Sequence, residues 1–447
     1  MAQTISLYLM RGTTEVSSLS LLGGTAGFYV DQWNQVVAKP GDESVTDVLG
    51  MFGKGSSQDA LAAYMLALEE YLRLAENAKR VSAADGVWLR AKMTNETNAR
   101  QTLVYNGGWG DPLNLYGTEA AGAIFPDLRL AIEHAPWWEP AGTTTLTMNG
   151  VSSLGGLSSA LSVAGTLPAR IGYASFIGAS SAALTEFWGG FVTDADGRTL
   201  ANFTPAWLLY NGTEGTDTGK VTNGISVVTC TFATVPTLTS RVTLTPYQID
   251  ATNYADLRGT YNILLRARVT NVDTVCRVCL LCKLGSSSQI NNLVTISGAT
   301  AGIVEQYFEM GQVTLPAGGR GSPNYDAIKN TTLDIQAERT VGTGYLTMSY
   351  LIAIPSDYYF HVGGGSGNNT LAMLTNPFGI VSGYTYSSTT INGLADITGS
   401  EARTTAVPPG DCKMVLAAQE AAEQVSTDTA NVVMYIYPRY RTVRGAG

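Results

Sequence analysis

Between residues 259 and 355 the chain is a run of short strands. Tyr261 to Val269 (YNILLRARV), Val275 to Leu284 (VCRVCLLCKL), Val304 to Leu315, Leu333 to Glu338 and Leu346 to Pro355 are β-branched or aromatic, with Gly, Asn, Ser and Asp turns between them. Strands at this spacing, with no helical periodicity intervening, fold as an antiparallel sandwich or jelly roll. Such a scaffold presents surfaces and by itself specifies no chemistry.

The surrounding composition agrees. Only 14% of residues are charged and 49 of 447 are Gly, against a usual share of ~7%, so Ser, Thr, Asn, Gln and backbone must cover much of the surface. The net charge of −9 is spread without long runs. A basic groove tracking phosphates is therefore not expected, and neither is sequence recognition of nucleic acid. No stretch reaches the ~18 apolar residues of a membrane span. The start MAQTISLYLMRG lacks a basic segment followed by a long apolar one, so synthesis in a cytoplasm is expected.

The five cysteines are an odd count and describe no disulfide framework. Cys276, Cys279 and Cys282 have a spacing that suggests a metal site. In a strand, however, the outer two share one face, roughly 20 Å apart, and Cys279 points to the other. We read them as small core thiols.

Residues 1–145 differ from the rest. Strands are expected over Ile5 to Met10, Gly27 to Lys39, Val87 to Met93, Arg100 to Tyr105 and Asp127 to His134. Between them a helix is expected over about 57–80, with Leu61, Tyr64, Met65, Leu68, Leu72 and Ala75 on its apolar face. The Gly-, Thr- and Ser-rich stretch Glu139 to Ala164 looks like a boundary, with at most a short strand at Leu146 to Met148. Beyond it, 146–447 reads as one jelly roll: strands near 169–244, the opening cluster, a Gly-rich loop at 362–370, and a closing hairpin of Cys412 to Ala417 with Ala430 to Tyr440. The fold class is thus mainly β: an N-terminal α+β unit, a β-sandwich plus one long amphipathic helix, followed by an antiparallel β-sandwich or jelly roll.

Chemistry is sparse. His134 and His361 are the only histidines, and neither lies in a catalytic motif. Asp194-Ala195-Asp196-Gly197 begins like a calcium loop, but Arg198, Leu200 and Pro205 occupy later ligand positions, and a hairpin turn fits better. Glu305 and Glu309 could serve a glycosidase only across a cleft. No catalytic residue, metal or cofactor is implied. Aromatic residues remain, among them Tyr247, Tyr358 and Tyr359. Trp188, Trp207 and Tyr210 are candidate platforms for sugar rings, and Leu61, Tyr64, Trp137 and Trp138 candidate assembly contacts.

The runs TTEVSSLSLL, GFYVDQWNQVVAKP, SQDALAAYMLALEEYLRLAENA, VWLRAKMTNETNARQTLVYNGGW and LRLAIEHAPWWEP together resemble, in order and character, distal-tail and tail-tube proteins of tailed bacteriophages. GTYNILLRARV, GQVTLP, YLTMSYLIAIPSDYYF and the closing PPGDCKMVLAAQE and VVMYIYPRY resemble the jelly-roll, carbohydrate-binding-like domains appended to tail and baseplate proteins. The resemblance implies a non-enzymatic virion protein that assembles with itself into a ring or tube, often hexameric. Its further partners would be other tail proteins and a host-surface glycan. One departure is that Asp42 to Lys54 is shorter than the hairpins that line such rings.

Overall fold

A computed structural model describes residues 5–443, apart from 13, 21–26, 55–56, 82–84, 94–97, 110–123, 179–183, 194–205, 210–217, 223–224, 233–235, 245–258, 285–286, 291, 302–303, 316–330, 364–369, 379–380, 387–388, 392–396, 400–405, 422–424 and 426. The protein is mainly β, with antiparallel pairing throughout the described sheets.

The N-terminal sheet runs in the order Thr14–Ser20, Ile5–Arg11, Val87–Met93, Arg100–Trp109, Ile124–His134, Val45–Lys54, Gly27–Asn34. The helix Gln58–Val81 lies on it. Leu61, Met65, Leu68, Leu72 and Ala75 meet Leu7, Leu9, Phe28, Leu49, Leu89 and Leu130 in one core, as the helix's three-and-four spacing requires. The segment from Asp42 to Lys54, short for a ring-lining hairpin, contains the ten-residue strand Val45–Lys54, paired on both sides.

Residues beyond 140 form two pairs of sheets rather than the single jelly roll expected. The first pair, here the basal sandwich, joins Thr144–Ser152, Leu167–Gly178, Thr370–Thr375 and Thr429–Arg439 in one sheet. Leu184–Thr193, Phe360–Gly363 and Gly410–Glu420 form the other. Phe176, Phe187 and Phe360 sit at its centre, the first two with rings 4.0 Å apart. The second pair, the inserted sandwich, is built from 206–355. Ile225–Cys230, Leu346–Pro355, Gly259–Val269 and Gln306–Leu315 face Thr239–Leu244, Thr332–Val341 and Val275–Leu284 across a core of their own. The chain leaves the basal sandwich at Thr193 and re-enters at Phe360. Gly189 and Phe360 are cross-strand partners, so the exit and return strands are neighbours. An insertion with adjacent ends disturbs its host little.

Two further expectations change. Thr144–Ser152 is a nine-residue strand inside the stretch expected to be a boundary, with Leu146, Met148 and Val151 buried. Its Thr and Gly content hid a period-two pattern. Gly410–Glu420 and Thr429–Arg439 are also not a hairpin: they belong to opposite sheets of the basal sandwich. After the last of these strands, Tyr440 bridges back to Trp138, and Val443, 1% exposed, enters the N-terminal core.

Over Phe187–Val192 and Met414–Ala418 the strands Leu184–Thr193 and Gly410–Glu420 are buried on both faces. Phe187, Phe191, Met414 and Leu416 point into the basal core, whereas Trp188, Val192, Val415 and Ala417 point into the inserted sandwich. The two sandwiches therefore share a sheet-to-sheet junction, and glycine permits the close approach. A Cβ at Gly190 would lie 2.5 Å from Ile354 Cγ2. At Gly155, whose φ is +79°, a Cβ would lie 2.9 Å from both Ala206 Cβ and Ile352 Cγ1.

Candidate functional site

A group of ionisable and aromatic side chains lies at this junction. Trp188 comes from the basal sandwich and is 1% exposed. Its ring stacks on His361 at 4.8 Å with 4° between the planes, and meets the edge of Tyr307 at 5.2 Å. Its Nε1 donates to Glu309 Oε1 at 3.2 Å, and the Tyr359 hydroxyl donates to the same oxygen at 2.8 Å. His361 stands between two carboxylates, with Nε2 3.3 Å from Glu186 Oε2 and Nδ1 3.7 Å from Glu309 Oε1. Burial, together with the neighbouring Glu309, pushes the Tyr359 hydroxyl above the ordinary tyrosine range, so it acts as a donor. The group holds two sandwiches in register through rings and shared hydrogen bonds.

Below it the junction is polar and hydrogen-bonded. The Gln419 amide donates to the Glu305 carbonyl at 3.1 Å and accepts from the Tyr307 backbone N–H at 3.2 Å. The Tyr307 hydroxyl donates to the Ser153 carbonyl at 3.1 Å. Glu305 is 2% exposed and forms an ion pair with Arg266, itself fully buried. Glu309 instead has a side chain 53% exposed and neutral donors on it. The two carboxylates considered for glycan hydrolysis thus sit in different surroundings, and Glu305 is neutralised by its arginine.

The candidate sugar platforms come out differently. Trp188 cannot stack a sugar, because it is 1% exposed, with His361 stacked on its ring and Tyr307 against it; a two-sided apolar strand, not a binding surface, explains it. Trp207 lies in the strand Ala206–Leu208, paired with Leu351, but its side chain lies outside the described residues, as do Tyr210, Tyr247 and the Asp194–Gly197 turn. Of the assembly candidates, Leu61 and Trp138 are 0% and 1% exposed and belong to the N-terminal core, with Tyr64 packed half-buried against it. The helix's apolar stripe is satisfied by its own sheet, not by a partner. Trp137 is half-buried, with the Arg439 guanidinium 3.9 Å above its ring.

His134 is also internal. Its Nδ1 is 2.7 Å from the Ala135 carbonyl oxygen and its Nε2 3.2 Å from Asp47 Oδ2, while Asp47 also accepts from Trp33 Nε1 at 2.8 Å and the Val36 N–H at 2.7 Å. This network ties the loop after Gly27–Asn34 to the sheet. Among the described residues, no group of three or more His, Cys, Asp or Glu is placed to hold a metal ion, and no helix is long and apolar enough to cross a membrane.

The thiols are buried. Cys276 and Cys282 point into the core of the inserted sandwich, and Cys279 to the opposite face, beside Gln336. Burial pushes the Cys276 and Cys412 thiols up to about 12, and raises Cys279 and Cys282 as well. Since the thiolate is the reactive form, the folded protein at pH 8 is expected to resist Ellman's reagent, with all five thiols titrating after denaturation. Rapid labelling of any of them in the native state would contradict this arrangement.

No protein-family model matches the chain, and none of the curated proteins compared with it does. Similar solved structures include two chains from the phage P2 baseplate in its activated conformation. The one with Ca is 9% identical, covers 97% of this chain and 98% of that one, and has a TM-score of 0.23. The one with Sr is 9% identical, covers 77% and 98%, and has a TM-score of 0.20. Dimeric latent PorU from Porphyromonas gingivalis also matches, at 9% identity, over 97% of this chain and 32% of that one, with a TM-score of 0.14. At these scores the likenesses do not define a common fold.

Proposed function

We propose that the protein is a structural component of a phage virion, at the tail tube, distal tail or baseplate. The N-terminal sheet-and-helix unit would assemble into a ring, and the β-sandwiches would face outward as decoration or for contact with the host surface. The observation that carries this reading is the architecture. A helix-backed sheet is fixed to a basal sandwich, which in turn carries a second sandwich on a largely buried junction, so side-chain chemistry is spent on holding units together. The likeness of the first 140 residues to ring-forming tail proteins supports the same role. On this reading the protein is not an enzyme, and its partners are further copies of itself and other tail proteins. A free glycan adhesin is a weaker alternative now that Trp188 is internal.

Mass photometry and negative-stain electron microscopy of the purified protein are expected to show closed rings, and immunogold labelling of particles is expected to mark the tail end. A strictly monomeric protein absent from particles would overturn the proposal.

A further inference from the structure

Where the N-terminal unit meets the basal sandwich there is a cleft of about 350 Å³, within the size range of small-ligand pockets, roughly 300–1,000 Å³. Its walls are largely apolar, with Phe378 and the prolines 40, 136 and 168 among them. Its charge runs against that of the chain. Lys39, Arg170, Arg439 and Arg441 line it with Asp42 as the one lining carboxylate, in a protein whose net charge is −9.

The cations are not equivalently satisfied. Glu139, 0% exposed, is committed to Arg170, accepting from Nε at 3.3 Å and Nη2 at 2.7 Å. Arg170 also stacks on Tyr437 at 3.9 Å. Arg439 receives only the remainder: its Nε is 3.9 Å from Glu139 Oε2, beyond hydrogen-bonding distance, and its buried Nε and Nη2 find no acceptor. Two guanidinium groups thus share one buried carboxylate. A buried cation without a hydrogen-bonded counter-ion is costly. Consistent with that, burial and the adjacent Arg170 bring the Arg439 guanidinium down to about 10, against the opposing pull of Glu139.

We propose that this cleft binds a compact organic carboxylate, whose acid group pairs with Arg439 and the exposed Lys39 and Arg441 and whose body lies against Phe378 and the prolines. Planar, bidentate recognition of a carboxylate suits guanidinium. The carboxylate could be a free small acid or an acidic sugar of a surface polysaccharide. The inference stands on the cleft alone and does not depend on the assembly reading.

Calorimetric titration of the full chain with benzoate and with glucuronate, alongside benzyl alcohol and glucose as neutral counterparts, tests it. At least one carboxylate is expected to bind, roughly tenfold tighter than its neutral counterpart, and to raise the melting temperature by mass action. Benzoate alone would identify a free small acid as the source, and glucuronate an acidic sugar. Arg439→Gln is expected to abolish the preference. Because that residue also packs on Trp137, the exposed double variant Lys39→Ala, Arg441→Ala is the control expected to fold normally and to lose several-fold affinity. Absence of binding by both carboxylates, equal binding of the neutral compounds, selective binding of inorganic phosphate, or unchanged affinity in the double variant would each overturn the proposal.

Discussion

Arg266→Met is expected to destabilise the inserted sandwich by about 3–5 kcal/mol, the cost typical of leaving one member of a buried ion pair without its partner. Arg266 sits fully buried in the strand Gly259–Val269, with Nη1 on Glu305 and 3.2 Å from the Ser349 hydroxyl. Removing the guanidinium strands a carboxylate that is 2% exposed. Its backbone carbonyl remains engaged by Gln419, so the main chain that carries the carboxylate stays in place. The same logic makes the reverse change, Glu305→Leu, comparably damaging. The double variant Arg266→Met, Glu305→Leu removes both charges, and is expected to recover most of the loss, to within about 1–2 kcal/mol of the wild type. Chemical unfolding of the four proteins yields the coupling energy directly. Single variants that each cost less than about 1 kcal/mol would mean that water reaches the pair and that the interior here is not dry.

The pattern of success in reading the sequence follows from what each signal reports. The helix Gln58–Val81 was visible because its apolar face repeats within the helix itself. Individual strands such as Gly259–Val269 and Leu346–Pro355 were visible for the same reason, since alternation is local. Sheet membership is not local. Leu154–Leu157 pairs with Gly410–Glu420, and Leu167–Gly178 with Thr429–Arg439, across more than two hundred residues that contain a second sandwich. Nothing in either strand's own pattern distinguishes a neighbour before the insertion from one after it.

In Phe187–Val192 and Met414–Ala418 both faces are apolar, which in an antiparallel sheet means cover on both sides. That would have placed Trp188 inside rather than on a glycan surface, and it points to a stacked sandwich. The cation cleft carried no such mark. Arg170 and Arg439 look like any arginine that lifts its charge to water from an apolar strand, and only the fold shows that they converge on a single glutamate.

Trp188→Ala is expected to have the other large effect, about 3–5 kcal/mol for an aromatic side chain lost from a close-packed interior. Its chemical signature separates packing from polarity. Trp188→Phe keeps a ring against His361 and Tyr307 but deletes the donor to Glu309. Since the Glu309 side chain is 53% exposed and retains the Tyr359 hydroxyl, water can replace that donor. The conservative change is therefore expected to cost only about 0.5–1.5 kcal/mol. A third variant approaches the junction from the opposite direction. Gly190→Val inserts atoms where a Cβ alone would be 2.5 Å from Ile354 Cγ2, and is expected to cost about 1–3 kcal/mol by overpacking. The sandwiches have separate cores, so weakening the contact between them uncouples them before either core melts. Calorimetry should then resolve two transitions in Trp188→Ala and Gly190→Val where the wild type shows the sandwiches melting together. If both variants instead lower a single shared transition without splitting it, the junction is not the weakest seam, and the two sandwiches behave as one cooperative body whose stability is set within their cores.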